Sequence, residues 1–502
     1  MKNNHYPKIP SLEVQEKNLA TRDEMFWIQK GEHMALDLFQ KAAIHVPAYK
    51  DFLRQRGVRP EKIKSIRDFA SVPMIDKKNY LSHYPLSQLC WDGKLSALDM
   101  ISASSGSSGT STFWPRGAHQ DTETILTHEL FLRDSFAIHK KKTLFVVTFA
   151  MGMWVAGTLT YRVMQAIAEK YDLTVITPGI DSREVIAAIK KLGPDYEQII
   201  IAGYPPFLKD VVDLGSQEGI RWDAFHVNFL FAAESFSETW RDYIAEKVGI
   251  KNVLSFSLNI YGTADALILA HETPISILAR RRATLNAPLY SELFENQERV
   301  PTLAQYNPML RYFEEDDGKI LFSAWSGIPL IRYAIGDTGG LISFSKMEEH
   351  FRNHSDSLVA EARKAKISQW KLPFVFVFGR NDFTASLYGL NIYPETIRGA
   401  LEHQTISSYL TGKFTMIVRN DEHMDQYLEV HVETQRGASK QSKKLTSEIQ
   451  KRLIETLCAQ NQEFRALRQS LGSRTDPHII LHAYGDSSHF RPGAKQRWLT
   501  KE

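Results

Sequence analysis

Ser104, Ser105, Gly106, Ser107, Ser108, Gly109, Thr110, Ser111 and Thr112 form a run in which no side chain is larger than that of threonine. The run lies between the apolar Met100 and Ile101 and the bulky Phe113 and Trp114. The chemistry it offers is anion binding. Glycine admits backbone angles closed to other residues, successive N–H groups can turn inward, and hydroxyls add donors to the same concavity. Phosphate oxygens suit that cradle. A flexible linker has the same composition, and no Gly-Lys-Ser/Thr follows to complete a P-loop. The order of the other polar turns along the chain decides between the two.

Those turns fall where apolar runs end. Ala233 and Glu234 follow the run 227–231, and Tyr261, Gly262, Thr263 and Asp265 follow 253–260. Asp337 comes after 328–333, in an expected turn marked by Gly336, Gly339 and Gly340; Arg380 and Asp382 come after 374–378. The runs 144–148, 173–177, 199–202 and 227–231 alternate with helical patterns over 123–135, 159–170, 183–192 and 207–214. Strands that are apolar throughout and separated by helices indicate an α/β domain, with parallel sheets covered on both faces. Ligands in such domains bind beyond the carboxyl ends of the strands, where these residues sit. Each also reads as an ordinary strand-ending turn.

The lead-in is mainly helical and shows no chemistry of its own. One helix is expected over 26–44, stopping before His45, Val46 and Pro47. Beyond residue 380 the pattern changes to short strands at 415–418, 427–432 and 478–482 with one amphipathic helix over 446–457, a small α+β domain. The boundary is expected at 380–383, giving units 1–381 and 382–502, with insertions around 271–313 and 348–370. His271 and Glu272 lack the second histidine of an HExxH motif and read as a surface turn. The run Arg280, Arg281 and Arg282 reads the same way.

With 502 residues, 43% hydrophobic and 24% charged, the chain is long enough for a large core and more than one domain. A net charge of +3 gives no reason to invoke nucleic acid. Cys90 and Cys458, far apart, exclude a disulfide framework and a cysteine-based zinc site, and fit a reducing cytoplasm. The N-terminal residues hold no signal-peptide core. The apolar stretch 144–157 is too short to span a bilayer, so no membrane insertion is expected.

In this order the pieces resemble the adenylate-forming enzymes, and among them the phenylacetate-CoA ligase branch. ASSGSSGTST at 103–112 is similar to the branch's phosphate loop ASSGTTGKPT, and the turn at 232–235 resembles GAEP. YGTAD at 261–265 resembles YGLSE, PLIRYAIGD at 329–337 resembles PLIRYRTGD, and GRNDFTASLYGLNIYP at 379–394 resembles GRSDDMLIIRGVNVFP. Val46-Pro47-Ala48-Tyr49 and Val72-Pro73 match lead-in positions of the branch. The match extends over nearly the whole chain.

The resemblance implies roles residue by residue. The run 104–110 would hold the phosphates of ATP, Tyr261 would stack on adenine, and the Ala233–Glu234 backbone would read the adenine edge. Gly262 and Thr263 would complete that site, Asp337 would accept from the ribose hydroxyls, and Arg380 would donate nearby. Asp265 would bind Mg²⁺. Asp382 would be the hinge of the small domain, and Gly389 and Leu390 would line the approach of a thiol, from coenzyme A or the phosphopantetheine of an acyl carrier protein. Lys495 would stabilise charge as a carboxylic acid attacks the α-phosphate; a solvated basic tail is the other reading of its surroundings. Met151, Gly152, Met153 and Trp154 suit the acyl pocket or simple core packing.

Three positions depart from the pattern. Thr110 stands where the branch carries lysine, Ala264 replaces a hydroxyl residue, and Asp265 replaces glutamate, with a reach shorter by about 1.5 Å. The sequence therefore leaves two readings: an acid–thiol ligase, or a degenerate homologue that binds nucleotide or acyl ligand as a regulatory or scaffolding subunit.

Overall fold

A computed structural model describes residues 5–95, 98–104, 112–152, 155–294, 301–380, 385–435, 443–486 and 490, with Ser104, Arg380 and Glu395 described by backbone alone. The Ser/Gly run is framed by an antiparallel hairpin of β1 (Met100–Ser104) and β2 (Thr112–Arg116), whose register closes with Ser104 opposite Thr112. The apolar runs then become a parallel array. It comprises β3 (Thr143–Val147), β4 (Leu173–Ile176), β5 (Gln198–Gly203), β6 (Val227–Ala232) and β7 (Ser257–Thr263), in spatial order β4-β3-β5-β6-β7. Every residue of β3 and β5 is buried, as strands covered on both faces require.

The crossover helices start on their own signals. Asp181 caps Ser182–Leu192 by accepting from the N–H groups of Arg183 and Glu184, Ser237 caps Glu238–Lys247, and Pro205 opens Pro205–Gln217. In the lead-in, Glu24–His45 runs through His45 and ends at Val46 because Pro47 opens a new helix, Pro47–Gln55.

Beyond β7 the sheet turns antiparallel, which the reading of the apolar runs had not anticipated. It continues through β8 (Leu267–His271), β9 (Thr302–Gln305), β10 (Arg311–Asp316), β11 (Lys319–Ala324), β12 (Leu330–Ile342) and β13 (Phe374–Arg380), giving eleven strands among the described residues. Asp337 is not in a turn after a strand. It lies inside β12, thirteen residues long, where Gly336 and Gly339 take φ of 95° and 156° and bend the strand instead of ending it.

The C-terminal part carries a short hairpin, β14 (Ala385–Leu387) and β15 (Leu390–Ile392), and a three-stranded sheet of β16 (Leu410–Asn420), β17 (Gln426–Thr434) and β18 (His478–His482). Among the described residues three helices pack here: Pro394–Leu401, where a helix over 396–402 is expected, and Lys443–Gln460 and Gln462–Leu471 where the pattern predicts one. Asn461 separates the last two by capping Gln462–Leu471, accepting from the N–H of Phe464. Ala385, Leu387, Tyr388 and Leu390 are buried in the same apolar cluster as Tyr204, Phe207 and Leu208 of the parallel array. Among the described residues no helix is long and apolar enough to cross a membrane.

Candidate active site

The register pairs Gly203 with Phe231 and Ala232 with Ile260, so the carboxyl ends of β5, β6 and β7 lie side by side. Tyr204, the Ala233–Glu234 turn and Tyr261 therefore emerge at one edge of the sheet. Ala233 turns the chain there with φ of 74°. Asn259 steadies the turn, its side-chain amide donating to the Glu234 carbonyl at 2.8 Å while its own N–H donates to Glu272 at 2.9 Å.

Glu272 anchors this arrangement from below. Neither it nor Arg280 is a surface-turn residue: both are fully buried, with Arg241, in one ionic cluster. Arg241 donates to Glu272 at 2.7 Å and to Glu238 at 2.9 Å, and Arg280 donates to Glu238 at 2.7 Å. Burial alone would raise the Glu238 carboxyl; the two guanidiniums reverse this and hold it down at about 2. His271 ends β8 and is buried too; Arg281 and Arg282 reach outward to Asp242 and Glu361. Opposite charges from distant segments neutralise one another here, and their spacing along the chain gives no sign of it.

Tyr261 and Asp337 meet directly: the tyrosine hydroxyl donates to Asp337 Oδ2 at 2.5 Å. Asp337 is buried, and in the β12–β13 register it stands opposite Arg380. The structure thus brings together the backbones or side chains of three positions assigned to the nucleotide.

Asp265 lies buried in the turn between β7 and β8, accepting from the Tyr333 hydroxyl at 2.6 Å. Its other oxygen is 3.9 Å from Lys77 Nζ. Lys77 also stands 5.8 Å from the ring centre of Trp114, on β2, and Trp114 packs edge-on against Tyr333. The lead-in that reads as free of chemistry delivers this cation. It is fixed in place by Arg332, which donates to the carbonyls of Ala70 and Val72, and by backbone pairing of Ile75 with Tyr333. Lys77 and Tyr333 were missed in the sequence; the match of Val72-Pro73 to the branch was the nearest signal. Asp265 offers the hard oxygen that magnesium takes alongside waters and phosphate oxygens, and Lys77 competes for it. Among the described residues Asp265 joins no cluster of three metal-ligating side chains. Thr263 Oγ1 accepts from the Ala266 N–H at 3.2 Å, shaping the turn next to the Gly262 bulge.

Glu234 faces the C-terminal part. Its carboxylate accepts from the N–H of Gly389, from Ser386 Oγ at 2.9 Å and from Gln426 Nε2 at 3.3 Å. Leu390, next to Gly389, begins β15. Of the remaining expected positions, Ser105, Gly106, Ser107, Ser108, Gly109, Thr110, Ser111, Met153, Trp154, Asp382 and Lys495 lie outside the described residues, as do the side chains of Ser104 and Arg380.

No family model matches the chain. It is 23% identical over 458 residues to a phenylacetate-coenzyme A ligase of Aromatoleum evansii, covering 88% of this chain and 90% of that one. With a phenylacetate-coenzyme A ligase of Thermus thermophilus it shares 20% identity over 362 residues, 71% of each chain. Among solved structures, a 2-hydroxyisobutyryl-CoA ligase with its acyl-AMP and CoA, in the thioesterification state, superposes with a TM-score of 0.65 at 16% identity, over 99% of this chain and 95% of that one. The same ligase in the postadenylation state gives 0.54 over 99% and 94%. The fold is that of this solved acyl-CoA ligase. Along most of its length the chain is similar in sequence to phenylacetate-coenzyme A ligases.

Proposed function

We propose that this chain is an acid–thiol ligase that uses ATP to convert a carboxylic acid to an acyl-adenylate and then transfers the acyl group to a thiol. The observation that carries this reading is the convergence of Tyr261, Asp337 and Asp265 at the carboxyl edge of the sheet, beside the hairpin that bears the Ser/Gly run. Asp337 would accept from the ribose diol, with Tyr261 against the adenine and the Ala233–Glu234 backbone on its edge. Residues 104–110 would cradle the phosphates. Lys77 would supply near them the positive charge that Thr110 does not. Asp265 would hold Mg²⁺, which when bound spreads charge off the phosphates. Lys495 would stabilise the transferring phosphate in the first half-reaction, and rotation of 382–502 about Asp382 would open the way for the thiol. Coenzyme A is the acceptor favoured by likeness to CoA ligases, with carrier-protein phosphopantetheine as the other arm of the test.

Hydroxylamine trapping across a panel of aromatic, fatty and hydroxy acids tests the first step. ATP- and acid-dependent hydroxamate is expected with at least one class. The second reading, a degenerate nucleotide-binding subunit, rests on Thr110, Ala264 and Asp265. It is supported if ATP or AMP binds and no acid yields hydroxamate.

A further inference from the structure

Glu234 belongs to the nucleotide-side turn by its backbone and to the thiol-side loop by its carboxylate. The carbonyl is held by Asn259, while among the described residues the carboxylate's hydrogen-bond donors come from the C-terminal part: Gly389 N–H, Ser386 Oγ and Gln426 Nε2. Gln426 is engaged on both sides, its oxygen accepting from the Tyr388 N–H at 2.5 Å. Gly389, with φ of 76°, sits so close to Tyr204 that a Cβ would stand 2.7 Å from Tyr204 Cδ1. A second polar contact flanks the first. Lys209 Nζ is 2.5 Å from Asp425, and Arg474 is 2.6 Å from Asp210 and 2.9 Å from Asp425, so the carboxylate of Asp425 is shared by cations from both parts.

We propose that Glu234, Ser386 and Gln426 are positioning residues for acyl transfer: the Glu234 carboxylate fastens the Tyr388–Gly389 turn over Tyr204, fixing the wall along which the thiol arrives. The proposal rests on the acyl-transfer reading above. The arrangement of the two parts agrees with it, since the 2-hydroxyisobutyryl-CoA ligase superposes better in its thioesterification state than in its postadenylation state. Rotation of the C-terminal part would remove these three donors at once, leaving the carboxylate to water. The contact therefore belongs to one half-reaction and not to the other. The Glu234 carboxyl, raised by burial and pulled back by its three donors, is consistent with a group enclosed only in the docked arrangement.

The test uses Ser386→Ala and the double variant Ser386→Ala/Gln426→Leu in the full chain. Acid-dependent pyrophosphate exchange, CoA-dependent thioester formation and hydrogen exchange of the 385–392 backbone are measured together. The double variant is expected to raise the KM for CoA roughly tenfold, the equivalent of one or two hydrogen bonds to a carboxylate, and Gly389 exchange at least as much. Pyrophosphate exchange should stay within about twofold of wild type, and Ser386→Thr should restore what Ser386→Ala loses. Equal falls in both half-reactions, or unchanged Gly389 protection, overturn the proposal. A wild-type chain silent in both half-reactions overturns the acyl-transfer reading itself, whereas an active wild type matched by the double variant overturns the positioning role alone.

Discussion

Tyr261, near the end of β7, donates its hydroxyl to Asp337 Oδ2 at 2.5 Å, joining the parallel half of the sheet to the antiparallel half at the point assigned to the nucleotide. A hydrogen bond to a buried carboxylate contributes about 1.5–3 kcal/mol. Tyr261→Phe keeps the ring for adenine and removes only this bond. The KM for ATP should rise by roughly ten- to a hundredfold while kcat changes less. Steady-state pyrophosphate release against ATP concentration measures it; an unchanged KM would remove Asp337 orientation from the account.

Lys77 stands 3.9 Å from Asp265, and the Ser/Gly run at 104–112 has threonine where the resembled branch carries lysine. Lys77→Met should slow adenylation about 10²-fold or more, on the scale of losing one electrostatic donor at a transition state, and Lys77→Arg should recover part of it. Single-turnover formation of acyl-AMP is the readout. A Lys77→Met rate equal to wild type would mean that the cation serves only to neutralise Asp265.

The buried cluster of Arg241, Arg280, Glu238 and Glu272 gives a stability prediction independent of activity. Removing one member leaves an uncompensated buried charge, a loss of about 3–5 kcal/mol. Arg280→Met should lower the urea midpoint strongly, whereas Arg282→Met, on the exposed face, should leave it nearly unchanged. Parallel urea titrations followed by fluorescence separate the two.

Glu463, in the first turn of Gln462–Leu471, carries a carboxyl that burial pushes up to about 7, and its charge bears on Tyr204 across the contact between the two parts. Where undocking exposes Glu463, its carboxyl would return to the ordinary 4.5, so the docked arrangement would bind a proton more tightly. Docking is strongest below that value, weakens as pH rises toward 7, and is constant above it. Hydrogen exchange of 385–392 should therefore speed up with rising pH, after correction for intrinsic exchange, and level off near pH 7. Glu463→Gln should flatten the profile at the protected level.

The parts of this molecule that the sequence displayed are those in which physics acts locally. The runs 144–148, 199–202 and 227–231 became β3, β5 and β6 because a fully buried strand has no polar alternative. Tyr204, the Ala233–Glu234 turn and Tyr261 emerge at one edge because β5, β6 and β7 run parallel. What stayed hidden depends on partners distant along the chain. Gly336 and Gly339 read as a turn, yet pairing with β11 and β13 holds Asp337 within one strand. Arg280 and Glu272 read as solvated because the charged partners that offset their burial, Arg241 and Glu238, are brought from elsewhere in the chain. Lys77 carried no signal of its own, since its partner Asp265 lies on the far side of the parallel array in sequence.

The central claim is that ATP and a carboxylic acid become an acyl-adenylate in the site built around Asp337. Acid-dependent ATP–pyrophosphate exchange in wild type and Asp337→Ala, over a broad acid panel, tests it most directly. Exchange with at least one acid class, abolished in Asp337→Ala while thermal stability is kept, is the predicted result. Nucleotide binding without exchange for any acid, or equal exchange in the two proteins, would contradict it.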